Sequence, residues 1–411
     1  MKRTVLIIAA VLTLSALLPA ASFALDSGWD IPYSDFDWRR YANDNITLNV
    51  YNWGEYISVD TGEGEFDVNA EFEKLTGIKV NYSNFASNEE LYAKLKSGGA
   101  TYDVIIPSDY MVSRLIKENM LEKLDFSNIP NYQYIMESHK NPVYDPTNEY
   151  SVPYMWQRVC LIYNETMVDP EDDLESWDIL WNEKYANNIL MFSNSRDAFG
   201  IACKKLGFSM NTTDENELVA AAEALKDQKL LVQAYVMDEI YDKMGGGEAA
   251  LAPYYAGDAL VMMEDNPDLN VVFPREGTNL FDDALCIPKG AKNKAAAEFY
   301  INFVTETLVS RENSLFIGYA TPQQLSYEAM DDETKENTVI YPTDEMIEND
   351  EIYVALPDSA TKLMDSLWTN ILSETNVSPW MTPLLLAVVL GLTVFINVRR
   401  QIKKKRRADT K

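Results

Sequence analysis

Acidic and aromatic side chains stand together at four places in this sequence. These are Tyr51-Asn-Trp53-Gly-Glu55-Tyr56, Ser108-Asp-Tyr110, Tyr254-Tyr255-Ala-Gly-Asp258 and Phe281-Asp-Asp283. The mixture suits the holding of an extended organic cation. Carboxylates offset the desolvation of ammonium groups. Ring faces line the methylenes between them and act as cation–π partners. Each pair alone reads equally well as surface. All four follow segments with strand character, and in parallel sheets ligands bind at strand ends.

Catalytic patterns are weaker. His139 is the only histidine, set in the loop Ser138-His-Lys-Asn-Pro142, and no nucleophile-elbow pattern accompanies it. No His, Cys or carboxylate spacing resembles a zinc site. Gly245-Gly-Gly-Glu248 lacks the Lys-Ser/Thr of a phosphate loop and carries an acid instead. No carboxylate pair is singled out for glycosidase work. A non-enzyme without metal or cofactor is expected.

The elements that must position these residues alternate. Ile46 to Trp53 reads as a strand, Phe66 to Leu75 as a helix stopped by Gly77, and Ile78 to Tyr82 as a strand. Ser87-Asn-Glu-Glu90 is a capping box opening a helix that ends at Gly98-Gly99, and Tyr102 to Pro107 reads as a buried strand. Strands are also expected at Val159–Tyr163, Ile189–Phe192, Ala249–Tyr255, Leu269–Phe273 and Asp283–Ile287. Helices are expected at Ser176–Tyr185, Glu215–Leu231, Met237–Met244, Ala295–Phe303 and Ala360–Leu372. The pattern is that of an α/β protein with a largely parallel sheet. With 411 residues, two lobes plus extra segments are expected. The cysteines (Cys160, Cys203, Cys286) are too few and odd in number for a disulfide framework, although Cys160 could pair with Cys286.

Both ends carry targeting signals. Lys2 and Arg3 precede an apolar stretch from Val5 to Leu18, and Ser22-Phe-Ala24 offers a cleavage site, so residues 1–24 read as a signal peptide. Trp380 to Val398 holds no charge over nineteen residues, and Arg399, Arg400, Lys403, Lys404, Lys405, Arg406 and Arg407 follow. Residues 380–398 thus read as one transmembrane helix in contact with membrane lipid, and 399–411 as a basic cytoplasmic tail. The expected location is the cell membrane, single-pass, with the bulk of the chain outside. The net charge is −29; residues 1–24 carry +2 and residues 399–411 carry +7, so the segment between carries −38. Such a field repels nucleic acid and draws in small cations.

The acid–aromatic loops resemble those of the spermidine/putrescine-binding proteins that serve ABC importers. The likeness runs nearly continuously from Ile46 to Leu372. It is carried by Tyr51-Asn-Trp53-Gly-Glu55-Tyr56, Thr76-Gly-Ile-Lys-Val80, Ser87-Asn-Glu89, Tyr102-Asp-Val-Ile-Ile-Pro-Ser108, Tyr150-Ser-Val-Pro-Tyr-Met-Trp156, Asn211-Thr-Thr-Asp214 and Pro274-Arg-Glu-Gly277. The resemblance implies a two-lobed type II periplasmic-binding-protein fold with a two-strand hinge. Residues 46–158 would begin lobe 1 and 159–280 lobe 2. Residues 281–327 would return to lobe 1 and 328–374 to lobe 2, with 25–45 an N-terminal extension and 375–379 a stem.

By the same resemblance, Trp53 and Tyr56 flank the ligand with Glu55 beside them, and Ser108 and Tyr110 line the first lobe. Asp197 meets a terminal amine, Asp283 an inner or second amine, and Trp368 matches a site position near the end of the domain. The chain departs from the pattern in places. Asn194 stands where many spermidine binders carry an acid, and Tyr255 and Phe281 replace two tryptophans. Asp258 resembles the putrescine-preferring members, and an acidic insert lies near Asp60 to Glu65. The implied function is an extracytoplasmic receptor that closes on a polyamine and delivers it to a permease pair driven by a cytoplasmic ATPase. A membrane-anchored polyamine sensor, or a same-fold receptor for another small solute, is the alternative.

Overall fold

The computed structural model describes residues 36–62, 64–98 and 101–373. The expected signal peptide, stem, membrane span and basic tail lie outside these residues. Among the described residues no helix is long and apolar enough to cross a membrane.

The first half opens with β1 (Thr47–Trp53), α1 (Val68–Thr76), β2 (Lys79–Phe85), α2 (Asn88–Ser97), β3 (Val104–Ile105) and α3 (Asp109–Lys117). β2 and β3 flank β1 in parallel. The caps follow the residue types. Asp67 accepts from the Ala70 N–H, Ser87 accepts from the Glu90 N–H, and Gly77 and Gly98 close their helices in the left-handed conformation.

β4 (Ser151–Asn164) then crosses into the second half, made of β5 (Ile189–Phe192), α4 (Ser195–Lys205), α5 (Glu215–Lys229), β6 (Val232–Val236), β7 (Leu251–Tyr255), α6 (Ala256–Asp265) and β8 (Leu269–Val272). β9 (Leu280–Cys286) returns. Helices α7 (Lys294–Val304), α8 (Thr307–Ile317), α9 (Gln324–Glu328), α10 (Asp332–Glu336) and α11 (Asp358–Ser373) complete the chain. The strand order is β2-β1-β3-β9-β4-β7-β5-β6, with β8 also paired to β4.

β4 and β9 join the halves. Ser151 to Arg158 pairs antiparallel with β9, whereas Val159 to Tyr163 pairs with β7. At fourteen residues β4 is long enough to belong to both sheets, and burial on both faces explains its nearly continuous apolar sequence.

Several expectations change. Ser176 to Tyr185 forms two short 3-10 turns instead of one helix, and Met237 to Met244 gives way to a π-turn over Tyr241–Gly245. The 25–45 extension is not wholly detached. Trp38 is buried, with ring centroids 6.3 Å from Phe299 and 5.8 Å from Phe303 of α7. All three cysteines are buried free thiols, so Cys160 and Cys286 are not bridged.

Candidate functional site

The turn after β1 delivers the first residues. Glu55 takes φ 46°, and the chain then plunges so that Tyr56 is buried. Asn52 Nδ2 and the Tyr154 hydroxyl both donate to the Tyr56 carbonyl, at 3.0 and 2.7 Å. Trp53, half-buried, leans on Phe85 with centroids 4.6 Å apart. Ser108 is the cap residue of α3. Tyr110, the second residue of that helix, donates its hydroxyl to Glu89 at 2.9 Å.

The second half answers with two helix N-termini. Asn194 caps α4: its Oδ1 accepts the Asp197 N–H at 2.9 Å, and its Nδ2 donates to Asp197 Oδ2 at 2.8 Å. Tyr255 donates to the same carboxylate oxygen at 2.8 Å. Asp258, in the first turn of α6, accepts from Tyr241 at 2.6 Å and from Tyr319. On β9, alternation along the strand sends Phe281 and Asp283 to the same face.

These residues meet in a cleft of about 670 Å³ between the halves. It brings together Trp53, Tyr56, Ser108, Tyr110, Asn194, Asp197, Tyr255, Asp258, Phe281 and Asp283. Two expected site residues stand outside its lining. Glu55 is exposed, because the left-handed turn at its own position directs it away. Trp368 is 8% exposed and structural: it packs on Tyr235 at 5.5 Å, and its indole N–H donates to the Ser193 carbonyl at 3.3 Å. Phe281 and Asp283 lie within β9 and not in a loop after a strand.

The lining also includes Glu89, Arg196, Asp238, Tyr319 and Tyr353, which sequence reasoning did not assign. Glu89 stood in view within Ser87-Asn-Glu89 but was absorbed by the capping pattern. Tyr319 and Tyr353 arrive from segments far along the chain, and no local signal marks them.

Among the described residues, five carboxylates and one guanidinium therefore line the cleft. Burial, opposed by the Ser108 and Tyr56 groups beside it, raises Asp283 to about 7. Burial likewise lifts Asp258 to about 6 against its two tyrosine donors. Asp197, Glu89 and Asp238 are also raised, each chiefly by burial. Desolvated acids of this kind gain when a cation enters. Tyr255 and Phe281 have ring centroids 5.3 Å apart and, with Trp53, supply apolar faces between the acids. His139 is occupied elsewhere, its Nδ1 3.1 Å from Asp282 Oδ1. Among the described residues no His, Cys, Asp and Glu cluster is arranged to hold a metal.

Comparison with known proteins gives the family. The model of the family described as bacterial extracellular solute-binding protein matches residues 68–342. The spermidine/putrescine-binding periplasmic protein of Salmonella typhimurium is 38% identical over 312 residues, 76% of this chain and 87% of its own. The putrescine-binding periplasmic protein SpuD of Pseudomonas aeruginosa is 29% identical, covering 81% and 93%. A solved Listeria monocytogenes chain named for spermidine/putrescine ABC transport superposes with a TM-score of 0.76 at 35% identity, over 80% of this chain and 99% of that one. The two halves thus form the two-lobed α/β periplasmic-binding-protein-like fold of a solute receptor, not of an enzyme. The chain belongs to the bacterial extracellular solute-binding proteins and, within them, to the spermidine/putrescine-binding periplasmic protein family.

Proposed function

We propose that this protein captures polyamines outside the cytoplasm and presents them to the permease of an ABC importer, whose cytoplasmic ATPase drives transport. One observation carries the reading: a cleft between two lobes that, among the described residues, is lined by five carboxylates and one guanidinium interleaved with aromatic faces. A polyamine presents ammonium groups to the acids and methylenes to the rings. The names of the relatives point the same way. Trp53, Tyr56, Tyr255 and Phe281 would hold the methylenes, and Asp197, Asp258 and Asp283 the ammonium groups.

Residues 380–398 are proposed to anchor the receptor as a single span with residues 399–411 in the cytoplasm, supported by nineteen uncharged residues followed by a basic cluster. Residues 1–24 would direct export. Resistance of the full-length chain to alkaline carbonate extraction tests the anchor, and release into the supernatant would remove it.

Titration calorimetry of the purified, ligand-stripped chain with putrescine, spermidine and spermine tests the receptor reading. Saturable binding of at least one supports it. A folded protein giving no binding heat with any of the three would mean that the cleft serves another solute.

A further inference from the structure

The cleft does not end at Asp197. A side pocket of about 410 Å³ adjoins it, and Glu89, Tyr110 and Arg196 line both spaces. These three residues form the partition. The Arg196 guanidinium lies 4.2 Å from the Tyr353 ring centroid and 5.5 Å from that of Tyr110. Arg196 is only 5% exposed. Its Nη2 donates to Asn211 Oδ1 at 2.7 Å and to the Val354 carbonyl at 3.2 Å, while Nε and Nη1 are buried without a hydrogen-bond partner.

The far pocket contains another acid. Asp365 of α11 lines it, with Ser195, Thr361 and Met364 beside it and Arg114 at its edge. Glu89 feels both Asp197 and Asp365, and the two carboxylates add to the burial that raises it. Carboxylates therefore continue past the partition, through Asp197, Glu89 and Asp365. That series would offer further partners to a longer cation, yet the Arg196 guanidinium lines the junction of the two spaces.

We propose that Arg196 is a specificity-determining residue that limits ligand length: its charge bars a further ammonium group from the side pocket, so the receptor favours the shorter polyamines, and Asp365 is the carboxylate that would receive the longer ones. The inference rests on the polyamine reading above. Like charges brought together out of water repel strongly, and Arg196 is held by its two hydrogen bonds and two rings, so it cannot readily swing aside.

Calorimetry on the full-length protein tests this with putrescine, spermidine and spermine. The wild type should bind spermine at least ten-fold more weakly than its best shorter ligand. Arg196→Met should raise the spermine-to-putrescine affinity ratio ten-fold or more, and Arg196→Lys, which keeps the charge, should leave it near wild type. Adding Asp365→Asn to Arg196→Met should return the ratio toward the starting value. Arg196→Gln, which retains a donor for Asn211, repeats the test if the methionine variant does not fold. Three results overturn the inference: a wild type that prefers spermine, a parallel loss for all ligands in the neutral variants, or a gain that survives Asp365→Asn. A wild type that binds none of the three would instead remove the polyamine reading, and this inference with it.

Discussion

Ser108 and Asp283 face each other in an isolated antiparallel bridge, which fixes the start of α3 against β9 at the centre of the cleft. The Ala284 N–H donates to the Pro107 carbonyl at 3.0 Å and reinforces the junction. The Asp283 carboxyl is buried, and burial raises it against the Ser108 and Tyr56 groups beside it. Burial disfavours the charged form of this carboxyl, and an incoming ammonium group would offset that cost.

Asp283→Asn is therefore expected to act in opposite directions on binding and on stability. Polyamine affinity should fall ten-fold or more, about 1.4 kcal/mol, because an amide does not neutralise the ammonium. The ligand-free protein should melt at a higher temperature, because a buried charge is gone. Calorimetry and thermal melts check both, and an unchanged affinity would show that Asp283 does not meet the ligand.

The pH dependence follows from the same burial. Asp283 and Asp258 are raised to about 7 and about 6 in the folded protein, against roughly 3.9 for an unfolded aspartate. Folding thus favours their protonated forms. Their contribution to stability is complete below the unfolded value and is lost as pH rises through 6 to 7. The stabilisation produced by Asp283→Asn should accordingly be larger at pH 8 than at pH 5. Ligand affinity should move the other way in the wild type, weakening from pH 8 to pH 5 as the acids take up protons. A flat affinity across that range would contradict the assignment.

Asp258 depends on Tyr319. Tyr319→Phe removes one of two hydroxyl donors to this carboxylate. A hydrogen bond to a charged group is worth about 1.5–3 kcal/mol, so affinity should drop about ten-fold with the fold intact. Gly257→Ala should do similar damage indirectly, because its Cβ would stand 2.1 Å from Tyr319 Cδ2 and displace the ring. Binding titrations and near-ultraviolet dichroism on both variants give the comparison.

A control lies away from the cleft. Arg158 Nε pairs with Asp350 Oδ2 at 2.5 Å, with both side chains almost wholly buried. Arg158→Met leaves Asp350 uncompensated and should destabilise the protein by about 3–5 kcal/mol, while ligand affinity changes less than three-fold. Urea unfolding with and without ligand separates the two effects.

The acid–aromatic loops were legible because their residue types are unusual together and because strand ends are predictable places. β1, α2 and β7 appear close to where periodicity and caps put them. α4 escaped because every residue from Ser195 to Lys204 is buried, which leaves no amphipathic stripe to read. α6 escaped because Ala256-Gly-Asp258 reads as a loop, although tertiary packing makes it a first helical turn. Arg196 had no signal at all: a base inside a site for cations has meaning only once Tyr110 and Tyr353 are seen on either side of it.

α11 is bound firmly to the second half. Trp368 is seated on β6 and α4 residues, and Lys229 Nζ donates to the Ile371 and Leu372 carbonyls at 2.5 and 3.0 Å. The described chain leaves from this point, so whatever holds the residues after 373 grips the second half. With the proposed anchor in place, that half would be the stationary jaw, and the one bearing Trp53, Ser108 and Tyr110 would be the jaw free to move.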